Sequence, residues 1–173
     1  MVNLIAFDPG GDGGIAILSK DRSIVHLADN TKVEADSIKL IKELVSTYQP
    51  KIAVIESVHS FAGQGTSSTF TFGERFGLLK GCLLTLGIPI ILVSSKKWQS
   101  GIGLNQPPNP VAGEDEKQKR SRMAKRRKEQ KRRSLEFASR LFPTVAVTEK
   151  NADGLCIAEW AIREPGLLFD QSN

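Results

Sequence analysis

The sequence predicts an α/β domain in which a mixed sheet carries helices on its faces. Three short apolar runs, Asn3–Phe7, Ile15–Leu18 and Ile24–Leu27, follow one another at the spacing of an antiparallel meander. Two further apolar runs, Ile52–Ile55 and Ile88–Val93, alternate with segments of helical period. Right-handed crossovers through those helices set the later strands parallel to the first. A chain of 173 residues can enclose one core but hardly two. Residues 1–163 are therefore read as one domain and 164–173 as a loose tail.

Each element has a local cause. The first strand runs into Asp8-Pro-Gly-Gly-Asp-Gly-Gly14, a turn-forming stretch, and Lys20-Asp-Arg-Ser23 makes the next turn. A helix from Glu34 to Tyr48 puts Ile38, Ile41, Leu44, Val45 and Tyr48 on one stripe, and Pro50 stops it. The Ile52–Ile55 strand leads directly into Glu56. A Gly/Ser/Thr-rich loop from His59 to Thr71 comes next, then a helix from about Phe72 to Leu86. That helix carries Gly73, Gly77 and Gly81, each costing about 1 kcal/mol relative to alanine. Three glycines on one face imply that the sheet or a partner subunit packs close there. After the Ile88–Val93 strand, residues 101–113 read as a linker. A long helix is expected from Asp115 to Leu141, basic in front and docked at its rear by Leu135, Phe137, Ala138 and Leu141. Phe142-Pro143 ends it, and a last helix covers Ala152 to Arg163.

Composition narrows the function. No apolar run approaches the length of a membrane span, and no secretory head precedes the first strand. An intracellular protein of the cytoplasm or nucleoid, without a membrane partner, is expected. Cys82 and Cys156 lie in apolar helical pattern and read as buried free thiols. With only His26 and His59, a His-rich metal site is unexpected. The net charge of +5 conceals a strong asymmetry. Residues 117–133 hold 11 Lys or Arg against one Glu, whereas the rest of the chain has 13 basic and 18 acidic residues. A concentrated basic segment on an acidic body suits a polyanion, nucleic acid above all.

Three acids stand where an acid is costly. Asp8 ends the first strand, Glu56 ends the fourth, and Asp153 opens the last helix in Asn151-Ala-Asp-Gly-Leu-Cys-Ile-Ala158. Carboxylates gathered at the rim of a core repel one another unless a cation neutralises them. Oxygen ligands select hard ions such as Mg²⁺ or Mn²⁺, and two such ions can clamp the attacking and leaving oxygens of a phosphoryl displacement. Singly, each acid has a plainer reading as a turn former, a strand-end residue or a helix N-terminal charge. For a fourth ligand, Glu149 would share a face with Asp153 on a continuous helix, with Lys150 and Asn151 as competitors. Glu159, out of phase with Asp153, is expected in solvent.

These residues resemble a known family. Phe7-Asp-Pro-Gly10, the strand ending in Ile55-Glu56, and Ala152-Asp-Gly-Leu-Cys-Ile-Ala158 resemble the acidic motifs of RuvC-type Holliday junction resolvases. Glu56-Ser-Val-His59, Gly63-Gln-Gly65, Ser67-Ser-Thr-Phe70, Phe72-Gly73 and Gly77 resemble the branch with the chloroplast resolvase and related phage and bacterial proteins, which leaves a phage-encoded origin open. Val93-Ser-Ser-Lys-Lys-Trp98 and Ala138-Ser-Arg-Leu-Phe-Pro143 are similar too, so the likeness spans about residues 3–163. It implies an RNase H-like fold, a homodimer, four-way DNA junctions as substrate and paired nicks in opposing strands. It assigns Asp8, Glu56 and Asp153 as catalytic ligands of two metal ions per site, with Glu149 where relatives often carry a fourth His or acid. Some relatives place that ligand three residues before the last acid, which here is Lys150. The basic stretch 105–130 is longer than the family leads one to expect.

DNA contacts are then expected from several segments. His59, Gln64, Ser67 and Ser68 lie on a polar loop tethered to Glu56, and amides and hydroxyls suit base edges. Phe61 could stack on an unpaired base or join the core. Lys96 and Lys97 would meet phosphates while Trp98 packs. Lys125, Arg126, Arg127, Lys131 and Arg132 would grip the duplex arms without reading sequence. Rival readings are an RNase H-like nuclease for structured RNA or other branched nucleic acid, a non-catalytic junction-binding module, and an actin-like kinase. The last would need a second phosphate-binding domain for which the chain has no room.

Overall fold

The computed structural model describes residues 3–57, 66–106 and 111–167. Its elements are β1 (Asn3–Phe7), β2 (Gly14–Ser19), β3 (Val25–Asp29), α1 (Glu34–Tyr48), β4 (Ile52–Ser57), α2 (Thr66–Thr85), β5 (Ile90–Ser94), α3 (Ser95–Gly101), α4 (Glu116–Leu141) and α5 (Ala152–Arg163). The five strands form one sheet in the order β3-β2-β1-β4-β5. β1 pairs antiparallel with β2, and β2 with β3, while β4 lies parallel to β1 and β5 parallel to β4. This is the mixed sheet the strand pattern predicts.

Side-chain alternation divides the core into two layers. Ile5 and Phe7 of β1 join Ala53 and Ile55 of β4 beneath α1 and α2, with Ile41, Leu44, Leu79 and Leu83. Leu4 and Ala6 join Ile52 and Val54 on the opposite face, beneath α3, α4 and α5. Continuing the same period of two, Asp8 and Glu56 emerge on the α3/α4/α5 face, one step beyond the paired residues Phe7 and Ile55.

Two helices differ from expectation, and the start of a third has a clear local cause. The helix α2 begins at Thr66 rather than near Phe72, so Ser67 and Ser68 belong to its first turn and not to a loop. Ser and Thr favour helix starts because their oxygens can accept orphan N–H groups, a signal outweighed in the sequence by the neighbouring glycines. The short helix α3 has no counterpart in the expected order. Ser94 caps it, its hydroxyl accepting from the Lys97 N–H at 3.3 Å. Within α4, Asp115 forms a capping box with Gln118, which explains how so basic a segment begins a helix.

The expected free thiols are present, Cys156 buried and Cys82 half-buried. Among the described residues no helix is long and apolar enough to cross a membrane.

Candidate active site

The three acids come from three elements that meet on one face of the sheet. β1 and β4 lie side by side, so Asp8 and Glu56 leave the sheet as neighbours. The first turn of α5 brings Asp153 over them. Its approach depends on glycine: a Cβ on Gly14 would stand 2.7 Å from Asn151 Cα, and one on Gly154 would stand 2.8 Å from the Gly14 carbonyl oxygen. A Cβ on Gly13 would reach within 2.8 Å of Asp8 Oδ2. The glycine run after Asp8 therefore serves close approach as well as turning.

Each carboxylate is held by its own partner. Asp8 Oδ1 accepts the Gly10 N–H at 3.1 Å. The Asn30 side-chain amide donates to the carbonyls of Asp8 at 2.7 Å and Gly10 at 2.8 Å, fixing the turn. Ser95 Oγ donates a short hydrogen bond to Glu56 Oε1. Ser134 of α4 lies by the Asp153 carboxyl and holds its pKa down against burial. Asp153 Oδ1 is buried without a hydrogen-bond partner among the described residues.

The electrostatics tie the three into one cluster. Burial pushes the Glu56 carboxyl up to about 7, and the nearby charges of Asp8 and Asp153 push the same way against the Ser95 hydrogen bond. Burial pushes Asp153 up to about 6, with Asp8 adding to it and Ser134 and Lys131 opposing. Asp8 is raised as well, by burial, against the Gly10 hydrogen bond and the Lys131 charge. Perturbed carboxylates sharing a niche are a functional-site signature. As placed, no group of three or more His, Cys, Asp or Glu among the described residues closes tightly enough around one point to hold an ion. The donor chemistry still fits a hard divalent cation: three carboxylates in mutual electrostatic reach, one with an orphaned buried oxygen.

The other expected site residues fall in different places. Glu149 is exposed in the turn before α5, which starts only at Ala152, so the shared helical face with Asp153 does not exist. Lys150 Nζ lies 3.6 Å from Asp29 Oδ2, and the Asn151 amide donates to Asp29 Oδ1 at 3.4 Å. Glu159 is fully buried rather than solvated. It accepts from Arg22 at 2.9 and 2.7 Å and from Arg163 at 2.7 Å, so two guanidinium groups compensate its burial. Helical phase excluded it from the acidic niche but could not reveal that the β2–β3 turn would supply Arg22.

His59, Phe61 and Gln64 lie outside the described residues. Ser67 and Ser68 are placed by the backbone of α2. Lys96 is exposed beside Ser95. Lys97 reaches over the Trp160 ring at 5.4 Å and lies 3.8 Å from Glu164, while Trp98 is buried as expected. Lys125 and Arg127 are exposed on α4, and Arg126 is half-buried. Arg132 is gripped by Glu129 at 2.7 Å and by Glu136. Lys131 is the departure: its charge is felt at Asp8 and Asp153, so it belongs to the acidic niche and not only to the outer helix. Sequence reading missed Ser95, Ser134 and Asn30 as supports. A signal existed for one of them, since Lys131, Ser134 and Ala138 follow helical spacing.

No protein-family model and no curated protein sequence matches this chain. Solved structures do. One is Thermus thermophilus RuvC, 9% identical with a TM-score of 0.59 over 94% of each chain. Another is T. thermophilus RuvC in complex with a Holliday junction substrate, 11% identical with a TM-score of 0.54, again over 94% of each chain.

Proposed function

We propose that the protein, whose fold is that of RuvC, an α/β domain of the RNase H-like type, is a structure-selective endonuclease that resolves four-way DNA junctions by paired, metal-dependent nicks in opposing strands. The observation that carries the reading is the convergence of Asp8, Glu56 and Asp153 on one sheet face, each raised by burial, with the charge of Asp8 felt at both other acids and that of Asp153 at Glu56. One structural neighbour is held on a Holliday junction substrate, which makes branched DNA the first substrate to test.

Mg²⁺ or Mn²⁺ held by Asp8, Glu56 and Asp153 would activate water and stabilise the leaving 3′-oxygen. The chain's own residues prepare that chemistry. Gly10 N–H and Ser95 aim Asp8 and Glu56, Ser134 lies by Asp153, and the buried niche strengthens every charge interaction within it. Lys131 places a positive charge beside Asp8 and Asp153, where it would meet a phosphodiester. Glu149, exposed before α5, is a candidate ligand only if its turn folds inward. The basic tract of α4 would hold duplex arms, and residues 1–163 would act as one nuclease domain.

Paired nicks need two sites, and α2 is the surface we assign to a second copy. A Cβ built on Gly73, Gly77 or Gly81 meets nothing within 4 Å among the described residues, so the sheet is not what packs there. Phe70 and Leu84 of the same helix are 66% and 61% exposed. An apolar, glycine-lined helix face of this kind suits close helix–helix contact.

A labelled four-way junction incubated with and without Mg²⁺ tests the proposal. Symmetric nicks that require the cation support it, and Asp8→Asn should bind the junction yet leave it uncut. Wild-type cutting by that variant, or preferential cutting of structured RNA, would overturn the reading.

A further inference from the structure

Beside the acidic niche runs a groove of about 750 Å³ between α3, the segment after it and the outward face of α4. Its chemistry is unusual for a surface cleft. Lys96, Arg126 and Arg127 line it with no carboxylate among the described residues, and Gln99, Asn105, Gln106 and Gln130 add four side-chain amides. The nearby acids of α4 are engaged elsewhere, Glu116 with Lys119 and Glu129 with Arg132. Gln106 bridges the walls, its amide donating to the Arg126 carbonyl at 3.0 Å and to Gln130 at 3.4 Å, so the groove is built rather than incidental.

One end abuts the chemistry. Lys96 follows Ser95, which holds Glu56, and Gln130 precedes Lys131, whose charge reaches Asp8 and Asp153. The other end is marked by Met123. From Met123 to Lys131 the helix rises about 12 Å. Phosphates of one strand advance about 3.4 Å each along the axis of a duplex, so a helix laid along that axis matches about three or four nucleotides.

We propose that this groove is the track for the cut strand on one side of the scissile phosphate. Lys96 and Arg127 take successive phosphates, and the amide of Gln99 and the side-chain oxygen of Gln106 take polar edges of sugars and bases. Cations fix position along the backbone, whereas amides can also distinguish bases, so this wall is where a sequence preference at the cut would arise. The inference rests on the nuclease reading given above, and its test is separate from it.

The test measures binding in EDTA, where nothing is cut, to four-way junctions carrying a single neutral methylphosphonate at successive positions on either side of the crossover. Wild-type protein should lose about tenfold in affinity at three or four consecutive positions on one side only, the cost of removing a charged hydrogen bond. Arg127→Gln and Lys96→Gln, both exposed and expected to fold, should each bind the unmodified junction more weakly. Each should then lose nothing further from a methylphosphonate at one of those positions. Losses that add independently in every combination, or a profile equal on both sides, would overturn the track. Cutting of the unmodified junction in Mg²⁺ is scored separately. A protein that never cuts sinks the nuclease reading while the binding profile still decides the groove.

Discussion

Gly154 on α5 lies so close to Gly14 on β2 that a Cβ at 154 would stand 2.8 Å from the Gly14 carbonyl oxygen. That approach sets the height of α5 over the sheet and thereby the distance of Asp153 from Asp8. Gly154→Ala should therefore cost about 1–3 kcal/mol of stability through overpacking against backbone that cannot yield. It should lower cutting by more than the lost stability explains, because the carboxylate moves with its helix. Thermal melts and single-turnover rates on the same preparation check both effects.

The glycines of α2 predict the reverse. At Gly77 a Cβ meets nothing within 4 Å among the described residues. Gly77→Ala should favour the helix by up to about 1 kcal/mol, while a bulkier Gly77→Leu should weaken association of two copies. Sedimentation across a concentration range separates the two. If both variants associate as wild type does, α2 is not the dimer surface.

Removing a carboxylate from the niche should stabilise the fold while ending catalysis. The folded state holds Glu56 up to about 7 and Asp153 up to about 6, above their ordinary values. Groups raised in this way favour the folded state when protonated, so stability without added cation should fall as pH rises from about 4.5 towards 7. Glu56→Gln should raise Tm at pH 8, flatten that decline and abolish cutting. A divalent cation should give its largest Tm increase above pH 7, because it competes with protons for the same oxygens. Melts across pH with and without Mg²⁺ read all three effects.

What could be read from the sequence, and what could not, follows physical lines. β1, α1 and α5 match their expected bounds because each has an unbroken apolar period and a strong stop. The three acids were legible because each adjoins an apolar strand or helix, which forces it to the rim of the core. Ser95, Ser134 and Asn30 were not, because a hydroxyl or amide in a polar segment carries no periodic signal. Their importance lies in tertiary neighbours 39 residues away for Ser95 and 22 for Asn30. Glu159 misled for a related reason. A charged residue outside the site stripe reads as solvated until a guanidinium from the β2–β3 turn is seen to reach it.

That pair makes its own prediction. Glu159 is fully buried, and its partner Arg22 is 39% exposed. Arg22→Ala would leave the buried carboxylate with Arg163 alone, at a cost of about 2 kcal/mol, reduced from the usual range for a broken buried pair because water reaches Arg22. The change should leave catalysis intact in correctly folded protein, since neither residue faces the niche. A chemical denaturation midpoint that falls while the single-turnover rate holds would meet the prediction, and a lost rate would place Arg22 in the substrate path.

Lys131 and the outer basic residues should separate by kind of defect. Replacing Lys125, Arg126 and Arg127 removes cations that position DNA by its phosphates, so binding should weaken. The slope of log affinity against log salt should shallow by about 0.9 for each phosphate no longer neutralised. Lys131 sits on the same helix but beside Asp8 and Asp153. Its positive charge offsets the carboxylates, and in the proposed reading it would meet the scissile phosphate. Lys131→Gln should therefore slow cutting at saturating junction far more than it weakens binding, and the defect should persist at high salt. Should activity instead be recovered by simply raising the protein concentration, Lys131 would be one more hold on the duplex arms and no part of the reacting centre.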